Sequence, residues 1–219
     1  MLSGANAFDV FFPEEFKAKI DEYPAAEAPL MRRDFTRVNF GWWGFWAPAS
    51  LIRGVPTLGV QPDMWEYGTS KAAAWDSPVS VQMNLVALEK HPRTADILEV
   101  MRRWEDVRAR DWLTPAMKET LRVPGREHHL YLEPNGEYSL YETEMLPSPA
   151  GAPQIRAFAF ERNGQQTVAY WHMNGEGEFS ADLGDGAKRR PAGALRYLET
   201  GLSREGLRKA WAAARDVAR

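Results

Sequence analysis

The 219 residues carry 27 Lys+Arg against 30 Asp+Glu, a net charge of −3, which argues against nucleic acid as a partner. A hydrophobic share of 44% excludes a wholly disordered chain, and no apolar run approaches the ~20 residues of a membrane-spanning helix. With no cysteine, disulfides, thiolate catalysis and cysteine-held metals are excluded. Met1-Leu2-Ser3-Gly4-Ala5-Asn6 lacks the basic and apolar segments of a secretion signal. The expectation is a cytoplasmic chain if Met1 is the true start, with the compartment otherwise undetermined. Nine Trp, seven Tyr and ten Phe imply large packed surfaces or a ring-stacking site.

In chain order, Pro13 to Tyr23 reads as a short helix, with Phe16, Ile20 and Tyr23 on one stripe and Pro24 ending it. Asp34 to Gly41 reads as a strand running into the aromatic loop Trp42-Trp43-Gly44-Phe45-Trp46-Ala47-Pro48. Met64 to Trp75 reads as a helix with Asp63 as cap and Glu66 closing a capping box. Pro78 to Asn84 alternates apolar and polar as a strand does. A further helix has Thr94 as cap and Ile97, Met101 and Trp104 on one side, and Thr114-Pro115 opens a short one. Strand, helix and strand in this order predict a parallel pair with a right-handed crossover.

From residue 127 the pattern changes to β. Asn135-Gly136 and Asn163-Gly164 each lie between alternating runs and predict type I′ hairpins. The second sets a register, with Phe158 opposite Ala169 and Phe160 opposite Thr167. Asn174 to Gly177 turns the chain into Glu178–Leu183, giving a roughly five-stranded antiparallel meander that needs one face covered. From Ser203 a helix follows, with Leu207, Trp211, Ala214 and Ala218 as its stripe. Its basic residues read as a solvated face or as a patch for an acidic partner.

Residues for chemistry are few. Asp63 and Glu66 fit helix capping, and Asp76 stands before a strand, away from the end where a β/α fold binds ligands. None of the three makes a convincing carboxyl pair for glycoside hydrolysis. His91, His128, His129 and His172 lack metal-ligand spacing, and neither a metal nor a cofactor is expected. Asn39, Trp42, Trp43, Trp46 and Gln82 all end or follow a predicted parallel strand, where ligands of α/β folds bind. An indole there can stack on a sugar ring, or it can pack into the core.

The runs Asp34 to Gly44 and Pro62 to Ser80 resemble the last β/α units of glycoside-hydrolase-like (β/α)8 barrels, and Ile155 to Leu183 resembles the β domain that often follows such barrels. Arg196-Tyr197-Leu198-Glu199 and the last helix resemble that family's C-terminal end. The resemblance implies a carbohydrate substrate class. A barrel needs eight strands and about two are legible, so the strands bearing nucleophile and acid would lie before Met1, and no catalytic residue carries over. The expectation is therefore an α/β plus all-β chain. Residues 1–125 would be partial barrel units, and residues 126–219 an antiparallel meander or sandwich-like domain with a C-terminal helix. The expected function is the C-terminal portion of a carbohydrate-active protein, or a non-catalytic carbohydrate-binding or protein-interaction module. The expected partners are carbohydrate and either a second copy or the missing barrel part, with no nucleic acid and no membrane.

Overall fold

A computed structural model describes residues 17, 18, 21, 38–42, 50–52, 55–57, 61–76, 79–82 and 85–217. The architecture is mixed α/β, in two compact units, Met1–Leu140 and Tyr141–Arg219.

In the first unit, β1 (Val38–Trp42) and β4 (Val79–Gln82) pair in parallel, as the strand–helix–strand order predicts. Their register places Val38 beside Val79, Asn39 beside Ser80 and Trp42 beside Gln82, with an irregularity between Asn39 and Trp42. Between them come a small antiparallel hairpin, β2 (Ser50–Ile52) with β3 (Val55–Thr57), and helix α1 (Pro62–Ala74). Among the described strands β1 and β4 are the one parallel pair, and an isolated parallel bridge joins Gly151 and Arg215.

All thirteen residues of α1 are buried. Apolar Met64, Trp65, Tyr67 and Ala72 to Ala74 spread around the helix, and the polar residues between them are covered as well. The helix begins at Pro62, whose fixed φ suits a first position, after an extended Gln61. Asp63 is therefore inside the first turn and is not the cap, which corrects the sequence expectation. Helices α2 (Leu85–Lys90), α3 (Thr94–Ala109) and α4 (Pro115–Arg122) follow. Ile97, Val100, Trp104 and Val107 of α3, with Leu121 of α4 and Leu130, complete the core around α1. Trp65 and Trp104 are among the most buried side chains.

Two local expectations are corrected here. Thr94 is the first helical residue, and its hydroxyl donates to Leu88 O at 2.5 Å. Thr114 does cap α4, accepting from Met117 N at 3.2 Å. The Asn135-Gly136 turn joins β5 (Glu127–Leu132) to β6 (Tyr138–Met145) but is not type I′. Gly136 N donates to Glu133 O at 2.9 Å and only Gly136 has positive φ. Pro134 would flank a type I′ pair and has no N–H to close it; its fixed φ suits the second position of a type I turn from Glu133, with Gly136 as the bulge.

In the second unit, β7 (Ile155–Arg162) and β8 (Gln165–His172) are joined by Asn163-Gly164, at φ 51° and 75°. This is the expected type I′ hairpin, and its register pairs Phe158 with Ala169 and Phe160 with Thr167 as predicted. β6 pairs with β7. The place beyond β8 is taken by β11 (Arg196–Thr200) and not by the run after Gly177. That run, β9 (Gly177–Asp182), forms a second antiparallel sheet with β10 (Ala187–Ala192) and the two-residue β12 (Arg215–Asp216). The single meander is thus replaced by two sheets. β10 was hidden from the sequence reading by Lys188, Arg189 and Pro191, which suit an edge strand.

Helix α5 (Arg204–Ala212) is capped by Ser203, whose hydroxyl accepts from Gly206 N at 3.2 Å. Leu207 and Trp211 are fully buried, with Ala214, in the core that Ala157, Val168, Tyr170 and Phe179 build. Trp211 meets the rings of Phe179 at 5.5 Å and Tyr170 at 6.2 Å. Its basic face is solvated: Arg204 and Arg208 pair with Glu144, and Lys209 with Glu205. Ala218 lies outside the described residues. Removing a fully buried indole leaves a cavity, so Trp211→Ala should destabilise the chain by about 3–5 kcal/mol, measured as a lower denaturation midpoint of the tertiary fluorescence and near-ultraviolet signal.

Candidate functional site

Trp42 and Gln82 are register neighbours at the carboxyl ends of β1 and β4, and Asn39 lies beside Ser80 one step back. These three expected site residues are thus brought to one strand pair. Trp43 and Trp46 lie outside the described residues.

The acidic residues have structural partners. Glu66 is buried, and its Oε1 accepts from the Trp104 indole at 3.1 Å and from Leu130 N at 3.0 Å. Its Oε2 lies 2.8 Å from His129 Nδ1. Asp63 pairs with Lys17 at 2.9 Å, and Lys17 also holds Glu127 at 2.8 Å. Neither carboxylate serves as a helix cap. Asp76, in a left-handed conformation at φ 55°, is exposed and meets Arg108 at 3.5 Å.

Two further groups on α1 belong to the same buried set. Tyr67 donates to Asp21 Oδ2 at 2.5 Å, and Gly125 N donates to both the phenol and the carboxylate at 2.9 Å. Burial, then the bond to Asp21, raises the phenol above its ordinary range. Lys71 donates to Val123 O at 2.5 Å and Arg126 O at 3.3 Å, over the Tyr67 ring. Its burial lowers the ammonium to about 8. Lys17, Lys71 and Glu127 were not singled out from the sequence. The requirement appears only once α1 is known to be buried on every side: ionisable residues at 63, 66 and 71 must then be paired inside.

No group of three or more His, Asp or Glu among the described residues can hold a metal ion. Nor is any described helix long and apolar enough to cross a membrane. Open grooves occur in the second unit. One, of about 650 Å³, is bordered by Glu142, Glu161, Gln165, Gln166 and Arg204. Another, of about 740 Å³, is bordered by His172, Glu176, Glu178, Arg189, Arg196 and Asp216. No family model, curated protein or solved structure matches the chain.

The geometry fixes a pH response. Lys71 releases its proton near pH 8 when folded and near 10.4 when unfolded, so between them the unfolded chain binds more protons and Lys71 adds stability as pH rises. Tyr67 acts oppositely above pH ~10, because the unfolded phenol ionises first. Unfolding free energy relative to Lys71→Met should climb from pH ~8 to ~10, by no more than about 1.4 kcal/mol per pH unit. Relative to Tyr67→Phe it should fall above ~10. Urea titrations at stepped pH read both differences. Glu66→Ala, which strands a buried indole N–H and the Leu130 N–H, should lose about 2–5 kcal/mol in the same titrations at neutral pH.

Proposed function

We propose that the chain is the C-terminal, saccharide-facing portion of a carbohydrate-active protein of the barrel type, and that it binds sugar without hydrolysing glycosides by itself. The observation that supports this most is the parallel pair β1 and β4, which sets Trp42 beside Gln82 at the carboxyl ends of both strands. Ligands of α/β folds bind at those ends. An indole offers a flat apolar face to the C–H groups of a pyranose, and an amide offers both a donor and an acceptor to hydroxyls. Asn39, Trp43 and Trp46 extend this surface in the proposal. Hydrolysis would require one carboxyl group free to protonate a leaving oxygen and another facing it across the substrate. Asp63 and Glu66 are held by internal partners and are not available for either role.

A second reading, docking of a protein partner or a second copy, is favoured by a different observation. Leu85 and Val86 on α2 and Leu98 on α3 are large apolar side chains exposed on the first unit. Sedimentation at several concentrations separates the two: a concentration-dependent mass supports docking, whereas a constant mass with sugar binding supports the saccharide reading alone.

Calorimetric titration with a panel of neutral oligosaccharides tests the proposal directly. Heat of binding should be measurable with at least one sugar, and Trp42→Ala should weaken that affinity tenfold or more. An unchanged affinity in Trp42→Ala overturns the placement of the site. Turnover of chromogenic glycosides would overturn the non-catalytic assignment.

A further inference from the structure

We propose that the second unit carries its own saccharide-binding site, in the groove bordered by His172, Glu176, Glu178, Arg189, Arg196 and Asp216. The class of ligand rests on the saccharide reading above, but the site shares no residue with it.

The groove lies where the core face of the two sheets gives way to polar residues. Tyr170 is in the core, and His172, two residues on along β8, has the same facing. Arg196 opens β11 directly opposite Tyr170. Asp216 is opposite Phe179, another core ring, and Gly177 is opposite Ala192. Chain ends from both sheets therefore converge on one opening of about 740 Å³, within the 300–1,000 Å³ range of small-ligand sites.

Two glycines form part of this opening. A Cβ on Gly177 would stand 3.2 Å from His172 Cδ2, and one on Gly193 would stand 3.4 Å from Glu176 Cγ. Both side chains thus seat against bare backbone. His172 is held further by its own N–H donating to Gly193 O at 3.0 Å, and its Nδ1 accepts from Asn174 N at 3.3 Å.

The charges decide the ligand. Elsewhere in this unit opposite charges meet: Asp185 holds Lys188 and Arg190, Glu144 holds Arg204 and Arg208, and Glu199 holds Arg162. Among the described residues Glu176, Glu178, Asp216, Arg189 and Arg196 enter no ion pair, although both signs border one groove. An anionic ligand would face three carboxylates, and a cationic one two guanidinium groups. A carboxylate only accepts hydrogen bonds and a guanidinium only donates them. A hydroxyl does both, so the vicinal diols of a neutral sugar can bridge the two kinds of side chain, each bond assisted by a full charge.

The test is amide NMR on the whole chain, titrated with glucose, cellobiose, maltose and chitobiose, with glucose 6-phosphate and glucosamine as charged controls. At least one neutral sugar should shift the Gly177 and Gly193 amide signals. Arg196→Met and Glu178→Gln, both at exposed positions, should weaken that response about tenfold, while Trp42→Ala leaves it unchanged. The proposal is overturned if no neutral sugar moves these two amides, if the two variants respond as the wild type does, or if a charged control binds there more tightly. Failure of the first-unit reading shows separately, as calorimetric binding that Trp42→Ala does not change.

Discussion

A single buried carboxylate organises the first unit. Glu66 sits on a helix with no solvent-facing side, and a charge in that position is tolerable only if its lone pairs are filled. They are filled from three directions: the indole of Trp104 on α3, the backbone N–H of Leu130 on β5, and the imidazole of His129 on the same strand. Each donor has one workable distance, so satisfying Glu66 also sets where α3 and β5 lie against α1. Apolar packing alone would tolerate a helix rotated or slid by part of a turn. Three convergent hydrogen bonds would not.

The other ionic groups of α1 extend the same constraint to the chain on either side. Lys17 is shared by Asp63 and Glu127, tying the N-terminal segment and the start of β5 to the first turn. Lys71 reaches the carbonyls of Val123 and Arg126, and Arg122 donates to Ala74 O at 2.7 Å while standing 4.0 Å over the Trp75 ring. The link between α4 and β5 is therefore fastened at both ends of α1. Each contact gives an obligatory donor an acceptor inside the fold, which is why a cluster so rich in charge is compatible with burial.

What could be read from the sequence divides along the range of the interactions. The Asn163-Gly164 hairpin, its register, the Thr114 cap and the Leu207–Trp211 stripe are set within a few residues, and they stand as expected. The parallel order of β1 and β4 follows from the length of the crossover between them, which includes a helix. Errors arose where a neighbour changed the local rule. Pro134 lacks the N–H that would close a two-residue turn on Asn135-Gly136, and Pro62 moved the start of α1 ahead of Asp63. The assignment of β9 to a second sheet was not legible, because which strand lies beside β8 depends on residues 196–200, far from the turn that launches β9. Strand position placed Asn39, Trp42 and Gln82 on one parallel pair, and that placement stands. The partners of Asp63 and Glu66 were not, since Lys17, Trp104 and His129 are distant in sequence.

The two units use their carboxylates in opposite ways, and this bears on what each can do. In the first, Glu66 and Asp63 are buried and engaged in the contacts that position α1. Such groups hold a fold and make poor acids or bases, which need access to a substrate and a protonation state free to change. In the second, Glu176, Glu178 and Asp216 border an opening with two arginines, exposed and outside any ion pair among the described residues. Carboxylates of that kind are hydrated in the free chain and can exchange water for a ligand's hydroxyl groups at modest loss, because the exchange disrupts no internal bond. The acids that hold the first unit are thus engaged internally, and those that border the groove of the second enter no ion pair among the described residues and meet solvent.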